Sequence, residues 1–221
     1  MVSGILRKIS RMRQELAIIY EDTKLVVVDK PGGLLSVPGK GGANQDSVEG
    51  RIVAGHPGCT RYPSVHRLDM DTSGLLVLAL TKRAKRELME QFRERRVSKR
   101  YIAVVEGVLE GAEGEISLPL SMDAENRPYH VVDLANGREA VTRWRRLGVE
   151  GNVTRVEFTP LTGRTHQLRL HALHGLGFPI VGDRLYGTGV KPGELKLHAS
   201  YLSFQHPKTK ERMEFSSDPP F

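Results

Sequence analysis

A chain of 221 residues that is 39% hydrophobic and 6% aromatic is long enough for a substantial core and unlike a disordered or fibrous chain. No apolar run approaches the ~20 residues that cross a bilayer, and the single Cys59 excludes an internal disulfide and a cysteine-held zinc, which fits a reducing compartment such as the cytoplasm. The net charge of +7 is concentrated: nine basic residues against three acids between Lys82 and Arg100, with Arg7, Lys8, Arg11 and Arg13 near the start. The remainder is mildly acidic. Two basic patches on such a body are the footprint of a polyanion binder, or simply of a solvated helix face.

Met1–Gln14 is basic, lacks acids and spaces Leu6, Ile9 and Met12 at helical intervals. A presequence has that character, but this stretch is short and poor in serine. Residues 1–15 therefore read as a basic extension, frayed or touching nucleic acid, and the rest as one large domain or two intimately joined small ones, without repeat or clear linker. Leu16–Tyr20 and Lys24–Lys30 read as strands about a Glu21-Asp22 turn, with Leu25-Val26-Val27-Val28 buried in character. Pro31-Gly32-Gly33 ends the second strand. Pro38–Gly42 is a loop without the lysine-then-hydroxyl ending of a phosphate-cradling P-loop. Asp46 or Ser47 caps a short helix through Ile52.

Beyond a polar stretch, Leu75–Leu80 is a strand, and Thr81 caps a helix from Lys82 to about Arg95. Ala84, Leu88 and Phe92 recur every four residues and face the core, while Lys82, Arg86 and Arg93 gather on another face. Lys99–Gly107 is the next strand, and Glu139–Leu147 with Asn152–Pro160 forms a hairpin about Gly148–Gly151. Thr165 is a cap for a helix to His174, ended by Gly175. Leu197–Gln205 and Arg212–Phe215 are strands joined by a turn through His206–Lys210. The pattern predicts an α+β fold: a mainly antiparallel mixed sheet flanked by a few helices.

Two polar clusters carry the chemistry. His166, His171 and His174 invite a metal, but no His-Glu-x-x-His and no clustered carboxylate accompanies them, so neither metal nor cofactor is expected. Ser73 is not on a strained Gly-x-Ser-x-Gly elbow, and Thr72 and Ser73 suit turn duty. Asp69 lies between Arg67 and an apolar strand. It is either a salt-bridged structural carboxylate or a nucleophile for a sugar or an electrophilic ring carbon.

The run His66-Arg67-Leu68-Asp69-Met70-Asp71-Thr72-Ser73-Gly74 resembles the His-Arg-Leu-Asp-x-x-Thr-Ser-Gly signature of the RluA family of pseudouridine synthases. The likeness runs from Ile18 through almost the whole chain. It includes Asp29–Gly39, Lys99-Arg100-Tyr101-Ile102-Ala103, Gly163–His171 and Gly177–Gly187, in the family's order. That resemblance implies a pseudouridine synthase catalytic domain over 16–221 with a central cleft and no S4 domain. It implies an isomerase that replaces the N1–C1′ bond of uridine in RNA by a C5–C1′ bond, as the short members do in both 23S rRNA and tRNA. A monomer acting on stem-loops, without a membrane, is the matching expectation.

The resemblance also implies residue roles. Asp69 attacks or guides the detached uracil, Tyr101 stacks on the base and removes the C5 proton, and Arg169 pairs with the aspartate. Arg67 takes the place of the flipped nucleotide. His66, Lys82, Arg86, Arg93, Arg164 and His166 are further candidates for RNA contact. Two departures stand out: Asp71 offers a second carboxylate, and Arg127-Pro128-Tyr129-His130 lacks the lysine that usually follows Arg-Pro. An RNA N-glycosidase, with Asp71 as its second acid–base group, and a non-catalytic RNA-binding module stay open as alternatives.

Overall fold

The computed structural model describes residues 16–39 and 45–221. The basic extension and residues 40–42 of the loop after Pro38 lie outside them. Strands β1 (Ala17–Glu21) and β2 (Leu25–Lys30) form a hairpin, and α1 (Val48–Gly55) follows. Next come β3 (Ser73–Ala79), α2 (Lys82–Arg93) and β4 (Ser98–Glu106). After β5 (Glu113–Ser117), β6 (Leu120–Met122) and β7 (His130–Val132) come the long hairpin strands β8 (Val141–Glu150) and β9 (Val153–Pro160). Helix α3 (Gln167–Gly175), β10 (Leu197–Gln205) and β11 (Arg212–Ser216) complete the described elements. The main sheet has the order β1-β2-β3-β10-β4-β9-β8-β5, with β11 on β10; β6 and β7 pair separately. Among the described residues β3 and β10 make the parallel pair, His198 opposite Ser73, and the other pairings are antiparallel. This is the predicted α+β architecture. No described helix is long and apolar enough to cross a membrane.

Strand alternation builds the core. Leu25, Val27, Leu75, Val77 and Ala79 point one way and pack with Ala84 and Leu88 of α2, while Phe92 joins at the edge. Val26, Val28, Leu76 and Leu78 point the other way, onto Val48 and Ile52 of α1. A third cluster joins Ala103 and Val105 of β4, Val156 and Phe158 of β9, and Leu168 and Ala172 of α3. Tyr101 packs against both the second and the third cluster, so it stands at the seam between them. β3 enters through Gly74, whose φ of +108° disfavours a side chain, and a Cβ there would strike the Ala199 backbone of β10.

Several local expectations need correction. Thr81 does cap α2, its Oγ1 accepting from the Ala84 N–H at 3.2 Å, but the helix stops at Arg93 and Arg95 turns left-handed at φ 58°. Ser47, not Asp46, caps α1. Thr165 does not cap α3. His166 occupies that position with φ 55°, and Gln167 folds back to accept from Arg164 N–H and the Thr162 hydroxyl. The β8–β9 hairpin turns at Gly151-Asn152, because Gly148 is absorbed as an irregularity inside β8. Strands β5, β6 and β7 carried no periodic signal: β5 is a largely exposed edge, and β6 and β7 have 3 residues each.

Candidate active site

The loop before β3 is clamped on both sides of Asp69. Ser36 donates from Oγ to the Leu68 carbonyl at 2.7 Å and accepts from Leu68 N–H at 3.0 Å. Lys30 and the Gly33 N–H both donate to the Met70 carbonyl, each at 2.9 Å. Asp71 takes Arg184 Nη2 at 2.9 Å on one oxygen and the Gly193 N–H at 2.9 Å on the other. Ser73 faces away into the fold, its Oγ 2.8 Å from His198 Nδ1. A carboxylate held between such anchors has its position fixed before any substrate arrives.

Lys30 is wholly buried, and its three donors are matched by the Pro31, Leu34 and Met70 carbonyls at 2.8–2.9 Å. Burial pulls its pKa down to about 7, against the opposing charges of Asp69, Asp71 and Asp29.

Arg169 rises from α3 toward the loop. Its Nε and Nη2 fork onto Asp183 at 2.7 and 2.6 Å, and Nη1 reaches Asp69 Oδ2 at 3.4 Å. Asp183 also accepts from the Leu185 and Tyr186 N–H groups. Burial alone would raise its pKa, but the Arg169 bonds outweigh that and hold it below the ordinary carboxylate range. The guanidinium carbon lies 5.1 Å from the Tyr186 ring centre. Tyr101 on β4 lines the same cleft. Burial first, and the Asp69 charge second, raise its pKa, so its phenol is neutral.

Asp69, Tyr101 and Arg169 line a cleft of about 1080 Å³. It gathers them with Arg67, His66, Arg93, Arg164 and His166, drawn from loops, strand β4 and two helices far apart in the chain. Arg67 is exposed at the rim. Two expected contacts fall elsewhere: Lys82 and Arg86 are exposed on α2 but do not line the cleft. The helix axis carries Lys82 ~16 Å from Arg93, whose end of the helix reaches the opening.

The two cleft histidines are neutral. His66 accepts from the Val77 N–H at 3.2 Å, stacks on Phe92 at 4.5 Å, and burial takes its pKa to about 3. It supports the loop and supplies no cation for phosphate. Burial brings His166 to about 4, and its Nδ1 is 2.7 Å from the Tyr186 hydroxyl, which also accepts from the His130 N–H at 2.9 Å. The His130 ring meets His166 at 5.1 Å, so the segment after Arg127-Pro128 stands against the site. His171 is a core residue bonded to Thr142 and the Leu118 carbonyl.

Sequence reasoning assigned no role to Lys30, Ser36, Asp183, Arg184 or Tyr186. The stretches containing them were noticed only as matches to a family pattern. Their work depends on partners 14 to 113 residues away, from Arg169 for Asp183 to Asp71 for Arg184, which local pattern does not show.

The family model described as RNA pseudouridylate synthase matches residues 24–174. The dual-specificity RNA pseudouridine synthase RluA of Haemophilus influenzae is 48% identical over 210 residues, covering 93% of this chain and 94% of that one. Its counterpart in Escherichia coli K12 is 46% identical over 211 residues, with 93% and 94% covered. Among solved structures, human RNA pseudouridylate synthase domain containing 1 superposes with a TM-score of 0.75 at 31% identity, covering 94% of this chain and 84% of that one. Human RNA pseudouridylate synthase domain containing 4 gives 0.70 at 26% identity, with 98% and 92% covered. With a family match over most of its length and near-half identity to curated members over 93% of it, this chain belongs to the RluA family of RNA pseudouridine synthases.

Proposed function

We propose that this isomerase converts specific uridines in 23S rRNA and/or tRNA stem-loops to pseudouridine, with Asp69 as the reacting carboxylate. The observation that carries the residue assignment is the meeting of Asp69, Arg169 and Tyr101 in one cleft. The N1–C1′ bond breaks, the uracil turns, and a C5–C1′ bond forms; C5 loses its proton to solvent and N1 gains one. Asp69 attacks the sugar or the ring, and Arg169 holds it in place. Tyr101 offers a flat face at the seam of two core clusters. As a neutral phenol it takes the C5 proton only in step with giving up its own.

A paired or stacked uridine must be extruded to reach this cleft, at a cost of about a few kcal/mol. Arg67 at the rim is placed to fill the gap left behind, with Arg93 and Arg164 on the RNA backbone and His166 beside the base. The relatives' names, which call them dual-specificity, support two RNA classes as substrates. A monomer in the cytoplasm completes the proposal, and light scattering on the pure protein checks the first part.

Against glycosidase chemistry, the carboxylate that would serve as its second acid–base group, Asp71, is committed to Arg184 and Gly193 and does not line the cleft. A bare binding module has no use for Arg169 aimed at Asp69. The test is RNA tritiated at uridine C5: tritium is expected in water with no free uracil, and free uracil would restore the glycosidase. Asp69→Asn is expected to abolish release while RNA binding persists; retained turnover would remove Asp69 from the chemistry. Carbodiimide-dependent reverse-transcription stops in rRNA and tRNA, with and without the protein, identify the uridines.

A further inference from the structure

Most cations around the cleft are already answered. Arg93, Arg95 and Arg100 face Glu90, Glu139 and Glu157, and Arg164 donates to the Glu139 carbonyl. Arg67 and Arg138 are exposed, so water serves them. Lys99 is different. It lines the cleft and is half-buried, yet no described residue offers its ammonium a carboxylate or a hydrogen bond. Its charge is felt by His66 on one side, and on the other a Cβ on Gly163 would sit 3.8 Å from its Nζ.

Lys99 precedes Tyr101 by two residues on β4; opposite them on β10 stand Leu202 and Ala199, and the extra residue of the irregularity between these pairs lies on β10, so β4 itself runs without an insertion. Residues i and i+2 of a strand project to the same side, roughly 6–7 Å apart. A base lying on Tyr101 would place a phosphate of its own nucleotide at a comparable distance. We propose that Lys99 grips that phosphate, a contact that holds the target nucleotide by its backbone while the base reacts. This rests on Tyr101 being the platform for the base.

The charge balance supports the assignment. Removing an ammonium from water without an anion is unfavourable, and burial alone lowers the proton affinity of Lys99, with no acid to raise it. A phosphodiester supplies the missing full negative charge, whereas the neutral uracil carbonyls do not. The unpaired cation is a cost to the free protein that the RNA removes, the usual trade between stability and function at a binding site.

Two measurements test this. In the first, Lys99→Met is melted without RNA. The melting temperature is expected to rise by about 2–4 °C, because an unanswered charge is replaced by an apolar side chain. A lysine that held the fold together would lower it, and a lower value would overturn the proposal. In the second, a synthetic stem-loop carrying a modified uridine bears a methylphosphonate on the 5′ or the 3′ side of that uridine. One of the two is expected to weaken wild-type binding roughly tenfold or more and to leave Lys99→Met nearly unaffected. Additive losses at both positions would overturn it. Should no uridine prove to be modified, the functional reading fails by itself. Lys99 is then judged by the melting shift and by the salt slope on bulk tRNA, which loses about one charge in the variant if the proposal holds and is unchanged if it does not.

Discussion

Asp183 accepts from two nitrogens of the Arg169 guanidinium at 2.6 and 2.7 Å and leaves the third to face Asp69 at 3.4 Å. The stronger of the two ion pairs therefore lies behind the site, buried, and the weaker one opens into the cleft. An arginine tied this way cannot collapse fully onto Asp69, which keeps that carboxylate partly exposed for substrate. Asp183→Asn is expected to cost about 3–5 kcal/mol, the usual penalty for orphaning a buried charge. Urea unfolding reads the stability, and tritium release is expected to fall in kcat more than in KM. An unchanged kcat would mean that Asp183 does not orient the site.

Asp71 and Asp69 are expected to separate cleanly. Asp71→Asn keeps a side chain that can still bond Gly193 but gives up the Arg184 charge, so about 1–3 kcal/mol of stability is lost while turnover survives. Complete loss of turnover in a folded Asp71→Asn protein would return Asp71 to the chemistry.

Lys30 sets a pH dependence. Its pKa is about 7 folded against 10.5 in the unfolded chain. Below pH 7 both states carry the proton, so the group adds no slope. Between about pH 7 and 10 the unfolded state binds more protons, and stability rises with pH by at most about 1.4 kcal/mol per unit. Lys30→Met is expected to remove that rise and to lower stability throughout, since three carbonyls lose their donor. Urea titrations of both proteins at pH 7 and 9.5 measure it; equal slopes would mean Lys30 stays charged.

Thr81→Ala removes the side-chain cap of α2 and is expected to cost about 1 kcal/mol, or about 2–4 °C in melting temperature. Tritium release should be untouched, because Thr81 does not line the cleft. A loss of activity would show that α2 transmits to the site through Phe92 and His66.

What was readable in the chain follows the range of each interaction. Thr81, Ala84 and Leu88 obey spacings within one helix, and Leu25–Val28 announce burial by composition. Asp69 and Arg169 are 100 residues apart, and nothing local joins them; the family pattern did. Lys30 ends an apolar strand and looks like an exposed terminus, yet it is wholly buried because three loop carbonyls converge on it. The cap at His166 was missed because a left-handed histidine has no side-chain bond to announce it. Charge and helix face group Lys82 and Arg86 with Arg93, but neither says which end of a helix meets the cleft, and only Arg93 lines it.

The clamps around Asp69 come entirely from the chain itself: Ser36, Lys30 and Gly33 on one flank, Arg184 and Gly193 on the other. A die cut this firmly does not mould itself to what it meets. Under the proposed function the burden of deformation falls on the RNA, and a uridine is chosen by how cheaply its surroundings release it. A tight loop already short of stacking gives up its base readily, while a continuous duplex resists. Selectivity is then written as much in the mechanics of the nucleic acid as in the side chains that receive it.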